Sequence, residues 1–468
     1  MQGRQFQGLF GHRRILWQSR WGFYCLALNE LCPIEAVLSV DDNRAYPMIT
    51  ETSGIRFFSL ERKAGRRLPG LESVIEEVAP AVAGDIAELL DGSPGNWIAA
   101  STNASPALRQ VAARLGIPYV GPQPELCHWL NDKTNFLPAL PQIGLPRLSG
   151  QWLRLQDANY AELQTQFGKS FVAQMTRGVS GSGTHFIGCA EDYAQVGSER
   201  GDALMWVARD VGDLSLNINA LATEEGTAVG YPSVQLAGVP ELCRKRGQYC
   251  GNDYAATASL AAKIVNQVVE QTARIGAWLT SLGHRGLFGL DFVVERESDQ
   301  AFAVDLNPRW QGSTWLLGQA QYGLGRFPLP VAELAYKMGV LSAAEVLQHA
   351  DEFLLPVQVS QFSLHNFETQ WSVVGNELEP GIYSFSRGFT DPRRTLQVRE
   401  LDEDDFLLVA VPQRGLNVAP EGHIVRGCSR GAIYDAGQER LFAQPASMLR
   451  QLYLALGLEP GRAPNFGH

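Results

Sequence analysis

The stretch Gly286–Thr314, GLFGLDFVVERESDQAFAVDLNPRWQGST, constrains this chain more than any other. Two runs rich in Phe, Val and Leu, Leu287–Val294 and Ala301–Leu306, flank a polar turn around Ser298. That is the pattern of a β-hairpin. With the turn centred on Ser298, Asp291 and Asp305 fall opposite each other, and Asn307, two residues on, shares the face of Asp305. Like charges directly opposite destabilise a sheet. A pair of acids set among apolar neighbours is therefore expected to be neutralised by a cation. Carboxylate and amide oxygens, completed by substrate phosphates, are what Mg²⁺ takes. Arg309 lies just past the cluster, where it meets an anionic substrate. The plainer alternative is a solvated hairpin end with scattered acids. The Phe, Leu and Val around both acids, and the rigid Asn-Pro-Arg that follows, weigh against it.

The 468 residues suffice for three or four packed units. The net charge of −10 and the lack of a long basic block argue against a nucleic-acid partner. No stretch of 18 apolar residues is present, so no membrane span is expected. The first residues lack the long apolar run of a secretion signal. The seven cysteines are scattered and odd in number, and Cys243 and Cys250 lack zinc spacing. They read as free thiols of a cytoplasmic protein.

The N-terminal part alternates strand-like and helix-like runs. Ile15–Gln18, Ala36–Val40 and Trp97–Ala100 are the strands, with helices at Gly70–Ala81 and Pro106–Leu115. That order predicts a small open α/β sheet. The loop Ser101–Ser105 either binds a ligand or caps the next helix, with Ser105 at the cap and Pro106 at the first helical position. Capping is favoured. Asn131 or Asp132 is placed to cap a helix containing Lys133, which the Pro-rich segment Pro138–Pro146 is expected to break. Strand Phe171–Met175 leads into TRGVSGSG and strand Thr184–Ile187. Gly178, Ser180, Gly181, Ser182 and Gly183 suit a loop whose backbone amides close on phosphate oxygens. No Gly-Lys-Ser/Thr follows and no helix opens, so this is neither a P-loop nor a dinucleotide fingerprint. Further strands are expected at Ala203–Arg209, at LSLNINALAT from Leu214 and at Tyr231–Gly238. In the last, Gln235 faces either a site or solvent. One long helix is expected over Ala255–Leu282, and Gly312-Ser313-Thr314 should open another. From about Leu355 short strands recur, at Val357–Phe362, Tyr383–Ser386, Thr395–Val398 and Phe406–Val411. A helix over Ser447–Leu456 follows. His423 and Arg426 are within reach of a site, although a lone His is more often structural.

The ordered set of motifs resembles that of ATP-grasp ligases: NDK, a glycine loop, an alternating strand, a long helix, an acidic hairpin, then NPR. The likeness covers residues 120–345 and extends over the N-terminal part. It implies an α/β (α+β) chain: an N-terminal open α/β, pre-ATP-grasp-like domain at 1–120, a small lobe with the glycine lid at 121–220, a large lobe with the metal site at 221–345, and a C-terminal mixed β domain at 350–468. It implies that Asp291, Asp305 and Asn307 hold one or two Mg²⁺ ions (Mn²⁺ is an acceptable substitute) on ATP phosphates. Arg309 then meets the acyl phosphate and Lys133 the α-phosphate. The lid residues Gly178, Ser180, Gly181, Ser182 and Gly183 close on the phosphates. Val207 pairs with adenine and Asp210 takes the ribose; Gln235, on the face that points either to the site or to solvent, is a further candidate for ATP binding. Two departures stand out. The second acid of the hairpin is usually Glu, and Asp305 is one carbon shorter, so it reaches one metal rather than bridging two. The strand before the lid usually carries Lys, where this chain has Gln174, with Arg177 as a candidate substitute cation. The implied activity is an ATP-dependent carboxylate–amine ligase, ADP-forming, acting on small acids and amines such as amino acids or peptides, and a homodimer is consistent with it. A biotin-type carboxylase is disfavoured by the short glycine lid. A nucleotide-binding regulatory protein with a degenerate site is the reading from another class.

Overall fold

The computed structural model describes residues 8–65, 68, 72–90, 94–178, 181 and 183–461. Among them no helix is long and apolar enough to cross a membrane. The N-terminal sheet is parallel, with strands β1 (Arg14–Ser19), β2 (Ile34–Ser39), β3 (Arg56–Ser59) and β4 (Trp97–Ser101) in the order β3-β2-β1-β4. Leu16, Leu38 and Trp97 meet Val78, Ile86 and Leu108 of the covering helices on one face. On the other, Trp17 and Phe23 share a core with Trp315 and Leu317. This unit is thus packed onto the rest of the chain. Ser105 accepts from the Leu108 amide at 3.1 Å and Pro106 opens the helix Pro106–Leu115, as its sequence predicts.

A second, antiparallel sheet comprises β5 (Gly150–Arg154), β6 (Phe171–Met175), β7 (Thr184–Ile187) and β8 (Leu204–Arg209) in the order β5-β8-β6-β7. The third sheet starts with β9 (Ser215–Ala222), β10 (Thr227–Val229), β11 (Ser233–Ala237), β12 (Tyr249–Asp253), β13 (Gly286–Glu295), β14 (Gln300–Asn307) and β15 (Val359–His365). Its order is β14-β13-β9-β11-β12-β15, followed by His423–Arg430, Asp405–Ala410, Gly381–Ser384 and Gly388–Arg393, with β10 on β9. The last third of the chain therefore continues the sheet that carries the acidic hairpin. The helix Ala262–Ser281 lies under that sheet, burying Ile264, Val268, Ile275 and Leu279 against Phe288, Leu290 and Ala301.

Three local expectations are corrected. The helix Lys133–Gln142 runs through Pro138 and Pro141 instead of breaking at Pro138. Burial of Phe136, Leu137, Ala139 and Leu140 outweighs the lost backbone bonds. The expected single helix over 255–282 divides into a 3-10 turn, Ala255–Ser259, and the helix Ala262–Ser281, with Leu260 extended between them. No strand forms at Thr395–Val398, where a 3-10 turn begins at Val398. In the second case Ile264, Val268, Ile275 and Leu279 are buried as their spacing predicts, whereas Leu282, just past the helix, is exposed.

Asp253 fastens this junction. Its carboxylate accepts from the Ala256 amide at 2.8 Å and from the Ile433 and Tyr434 amides at 2.7 and 3.0 Å. It is wholly buried, so an Ala there leaves three enclosed N–H groups without partners. Asp253→Ala is expected to cost about 3 kcal/mol. In urea denaturation the midpoint should fall at an unchanged m-value.

Candidate active site

The hairpin forms as its alternation predicts, and Asp291 lies directly opposite Asp305. The register shifts next to this pair, leaving Val304 of β14 unpaired, so β14 bulges beside Asp305. Asn307 ends β14 two residues beyond Asp305, on the same face. Three side-chain amides converge on one Asp291 oxygen: Asn217 at 2.6 Å, Gln235 at 3.1 Å and Gln311 at 3.4 Å. Gln311 reaches it across Gly289, where a Cβ would lie 1.9 Å from the Gln311 side chain. Asp305 instead takes an ion pair from the buried Lys133. Burial, and then the facing Asp305, push the Asp291 carboxyl up to about 6.

These donors fit a hard divalent cation. Two carboxylates and an amide oxygen are oxygen ligands, and desolvation together with the facing Asp305 disfavours the charged form of Asp291, which a cation would relieve. Among the described residues no group of three or more His, Cys, Asp or Glu side chains comes together to hold a metal. Two carboxylates and one amide leave coordination positions of a six-coordinate ion for other oxygen ligands.

Both acids line a cavity of about 270 Å³ between the second and third sheets. Lys133, Gln174, Gly178, Gly181, Gly183, Asp210, Gln235, Asn307 and Arg309 line it as well. Gln174 donates to the Thr184 hydroxyl at 3.4 Å, so its amide bridges the two strands of the lid. Gly181 has a positive φ of 81°, and a Cβ there would sit 2.1 Å from the Gly247 carbonyl oxygen. Only glycine fits between the lid and that loop. Ser180 and Ser182 lie outside the described residues. Arg309 donates to the Trp310 carbonyl at 3.1 Å on the cavity wall.

Two expected site residues fall elsewhere. Arg177 is ion-paired with Asp132 at 3.0 Å and does not line the cavity. The nearer acid takes its charge. Val207 sits inside the second sheet, paired with Gln151 and Ala173 on its two sides, with its side chain in the core. Its backbone has no free edge to offer a base. The segment that faces the cavity is 208–213, the hinge that joins β8 of the second sheet to β9 of the third. Asp210 takes both terminal guanidinium nitrogens of Arg246, at 2.7 and 3.1 Å, and Arg246 also donates to Asp213.

The expected opening of a helix by Gly312-Ser313-Thr314 holds for Thr314–Gly323, but Ser313 does not cap it. Its hydroxyl donates to Asn217 at 2.7 Å and accepts from Asn219 at 2.9 Å. This bracing fixes the strand whose Asn217 holds Asp291. Sequence reasoning missed the part played by Asn217 and Gln311. The signals were there: Asn217 is on the polar side of an alternating strand, and Gln311 is two residues past Arg309. It also missed Arg20, Trp21, Tyr24 and Asn103, which follow strands of the N-terminal sheet and line the cavity. Ligands gather at the carboxyl ends of parallel strands, and that rule points to them. Arg426 reaches the same wall and donates to the Tyr24 hydroxyl at 2.9 Å and to His423 at 2.9 Å. Arg246 left no signal in the sequence.

The opposed acids make the metal-free protein less stable than it need be. Asp291→Asn keeps the amide partners' acceptor and removes the buried charge. It is expected to stabilise the protein by about 1–2 kcal/mol at neutral pH. Thermal melts in the presence of a chelator check this. A purely structural Asp291 would give a lower melting temperature instead.

No protein-family model matches the sequence, and no curated protein matches it. Solved structures do resemble it. The biotin carboxylase domain of Hydrogenobacter thermophilus 2-oxoglutarate carboxylase has 10% identity and a TM-score of 0.57, over 90% of this chain and 86% of that one. Campylobacter jejuni biotin carboxylase has 12% identity and a TM-score of 0.57, over 96% and 92%. The N5-carboxyaminoimidazole synthase of Aspergillus clavatus has 10% identity and a TM-score of 0.55, over 96% and 100%. The likeness spans nearly the whole of each chain, and the protein has the ATP-grasp fold.

Proposed function

We propose that the chain is an ATP-dependent ligase that joins a carboxylate to an amine and releases ADP and phosphate. The observation that carries this is the convergence on one cavity of a glycine lid, a hinge, Lys133, the opposed acids and Arg309. The similar structures hold matching ligands: MgADP and bicarbonate in the H. thermophilus domain, and ADP with an aminoimidazole ribonucleotide in the A. clavatus synthase. A carboxylate is a poor electrophile. Its oxygen first attacks the terminal phosphorus of ATP and ADP leaves. The amine nitrogen then attacks the acyl carbon, and the C–O bond to phosphate breaks.

The protein's part is positioning and charge. The lid amides at Gly178, Gly181 and Gly183 enclose the phosphates. Hinge residues 208–213 hold the base, with Arg246 fixing Asp210. Lys133 exchanges Asp305 for phosphate oxygens. Asp291, Asp305 and Asn307 are the residues that would hold Mg²⁺, which when bound neutralises charge on the transferring phosphoryl group. Arg309 steadies the acyl phosphate. Gln174 and Gln235 supply hydrogen bonds without charge.

A carboxylase acting on bicarbonate is the nearest alternative, favoured by the whole-chain likeness to biotin carboxylases. It differs only in which acid is activated. The site of a regulatory nucleotide-binding protein would not need the complete acidic hairpin with Arg309.

Phosphate release from Mg-ATP, measured over a panel of amino acids, small carboxylic acids and bicarbonate with mass analysis of products, decides among these. A new amide mass, absent with Asp305→Ala, supports the ligase. Tight ATP binding without phosphate release on any pair would sink it. Arg309→Ala should lower turnover by about 10²–10³-fold while ATP affinity stays within about twofold. Gly181→Ala should weaken ATP about tenfold, because a strained backbone and the Gly247 carbonyl both oppose the added Cβ. Titration with a fluorescent ATP analogue reads both affinities.

A further inference from the structure

Cys243 and Cys250 stand at the two ends of a loop that touches both the hinge and the lid. The Cys250 thiol donates to the Cys243 sulfur at 3.2 Å, and both residues are buried. Both are free thiols at that separation. Between them lie Arg246, Gly247 and Gln248. Arg246 grips Asp210 and Asp213 and lies 4.0 Å over the Phe186 ring of β7. Gly247 packs so closely that a Cβ there would be 2.5 Å from Phe186, and its carbonyl is the surface against which Gly181 closes. The space between lid and loop is therefore already full, and any shift of the loop is felt at the lid.

We propose that Cys243 and Cys250 form a reversible disulfide under a small peroxide, and that this bond unseats the nucleotide lid. The consequence for nucleotide rests on the functional reading above; the bond itself does not. The hydrogen bond from Cys250 holds the Cys243 thiol below its usual range, so Cys243 reacts first. Its thiolate attacks one peroxide oxygen and the O–O bond breaks; the departing hydroxide takes up the proton the thiol gave up and leaves as water, giving a sulfenic acid. The Cys250 sulfur attacks that sulfur, the S–O bond breaks and a second water leaves. Two thiols lose two electrons and two protons in all, and hydrogen peroxide takes them. Burial of both sulfurs selects an oxidant of this size over a bulky disulfide. Drawing the sulfurs together moves the ends of the loop, and with them Arg246 and Gly247.

The test uses the full chain, reduced and then treated with hydrogen peroxide. Peptide mass analysis should find Cys243 linked to Cys250 with the loss of two hydrogens, reversed by dithiothreitol. Titration with a fluorescent ATP analogue should show affinity at least about threefold weaker in the oxidised protein. Cys243→Ser and Cys250→Ser should bind the analogue as the reduced protein does and ignore peroxide. Oxidation of these cysteines to sulfinic acid without a crosslink would overturn the proposal. So would a crosslink that leaves ATP affinity unchanged. If neither form binds the analogue, the functional reading fails and with it the lid effect, while the mass readout still decides the bond.

Discussion

Two carboxylates face each other across one hairpin, and much of the structure answers that repulsion. Asp291 and Asp305 are paired in register, where like charges work against the sheet. Lys133 is brought from a distant helix to meet one. Three amides from three separate segments meet the other. Asn217 is in turn held by Ser313 at the mouth of a helix. Nothing in ordinary packing calls for such an arrangement. An apolar pair at these positions would be more stable, and the proposed cation and anionic substrate would give the acids a purpose.

The second constraint is closeness of backbone. Gly181, Gly247 and Gly289 each sit where a Cβ would collide with a neighbour. At Gly289 the room lets Gln311 cross the strand to Asp291. At Gly181 and Gly247 it lets the lid settle on the loop that also grips the hinge. Arg246 ties these parts together, with two hinge acids on one side and an aromatic ring of the lid strand on the other. Lid, hinge and loop are thus in direct contact through Arg246 and Gly247.

The C-terminal third shows why local pattern alone misplaces larger units. Its short strands, separated by turns, read as a small domain of their own. Three of them are in place, yet with their neighbours they extend the sheet of the acidic hairpin through β15. This brings Arg426 to the cavity wall, where it donates to the Tyr24 hydroxyl. Alternation tells that a residue is in a strand and which face it takes. It does not tell which strand lies alongside.

The sequence by itself determined the hairpin, the opposition of Asp291 and Asp305, the two strands that flank the glycine-rich loop and the cap at Ser105. Each depends on residues close in sequence, where strand period, turn chemistry and capping geometry act directly. Only the tertiary structure decided that Arg177 turns to Asp132, that Val207 lies within a sheet, and that Pro138 and Pro141 are carried inside a helix. It also assembled Asn217, Gln311 and Arg246 around the site. These outcomes follow from the nearest available charge, from which strand edges are already paired, and from burial that outweighs local preference. Such quantities come into being only when distant segments meet.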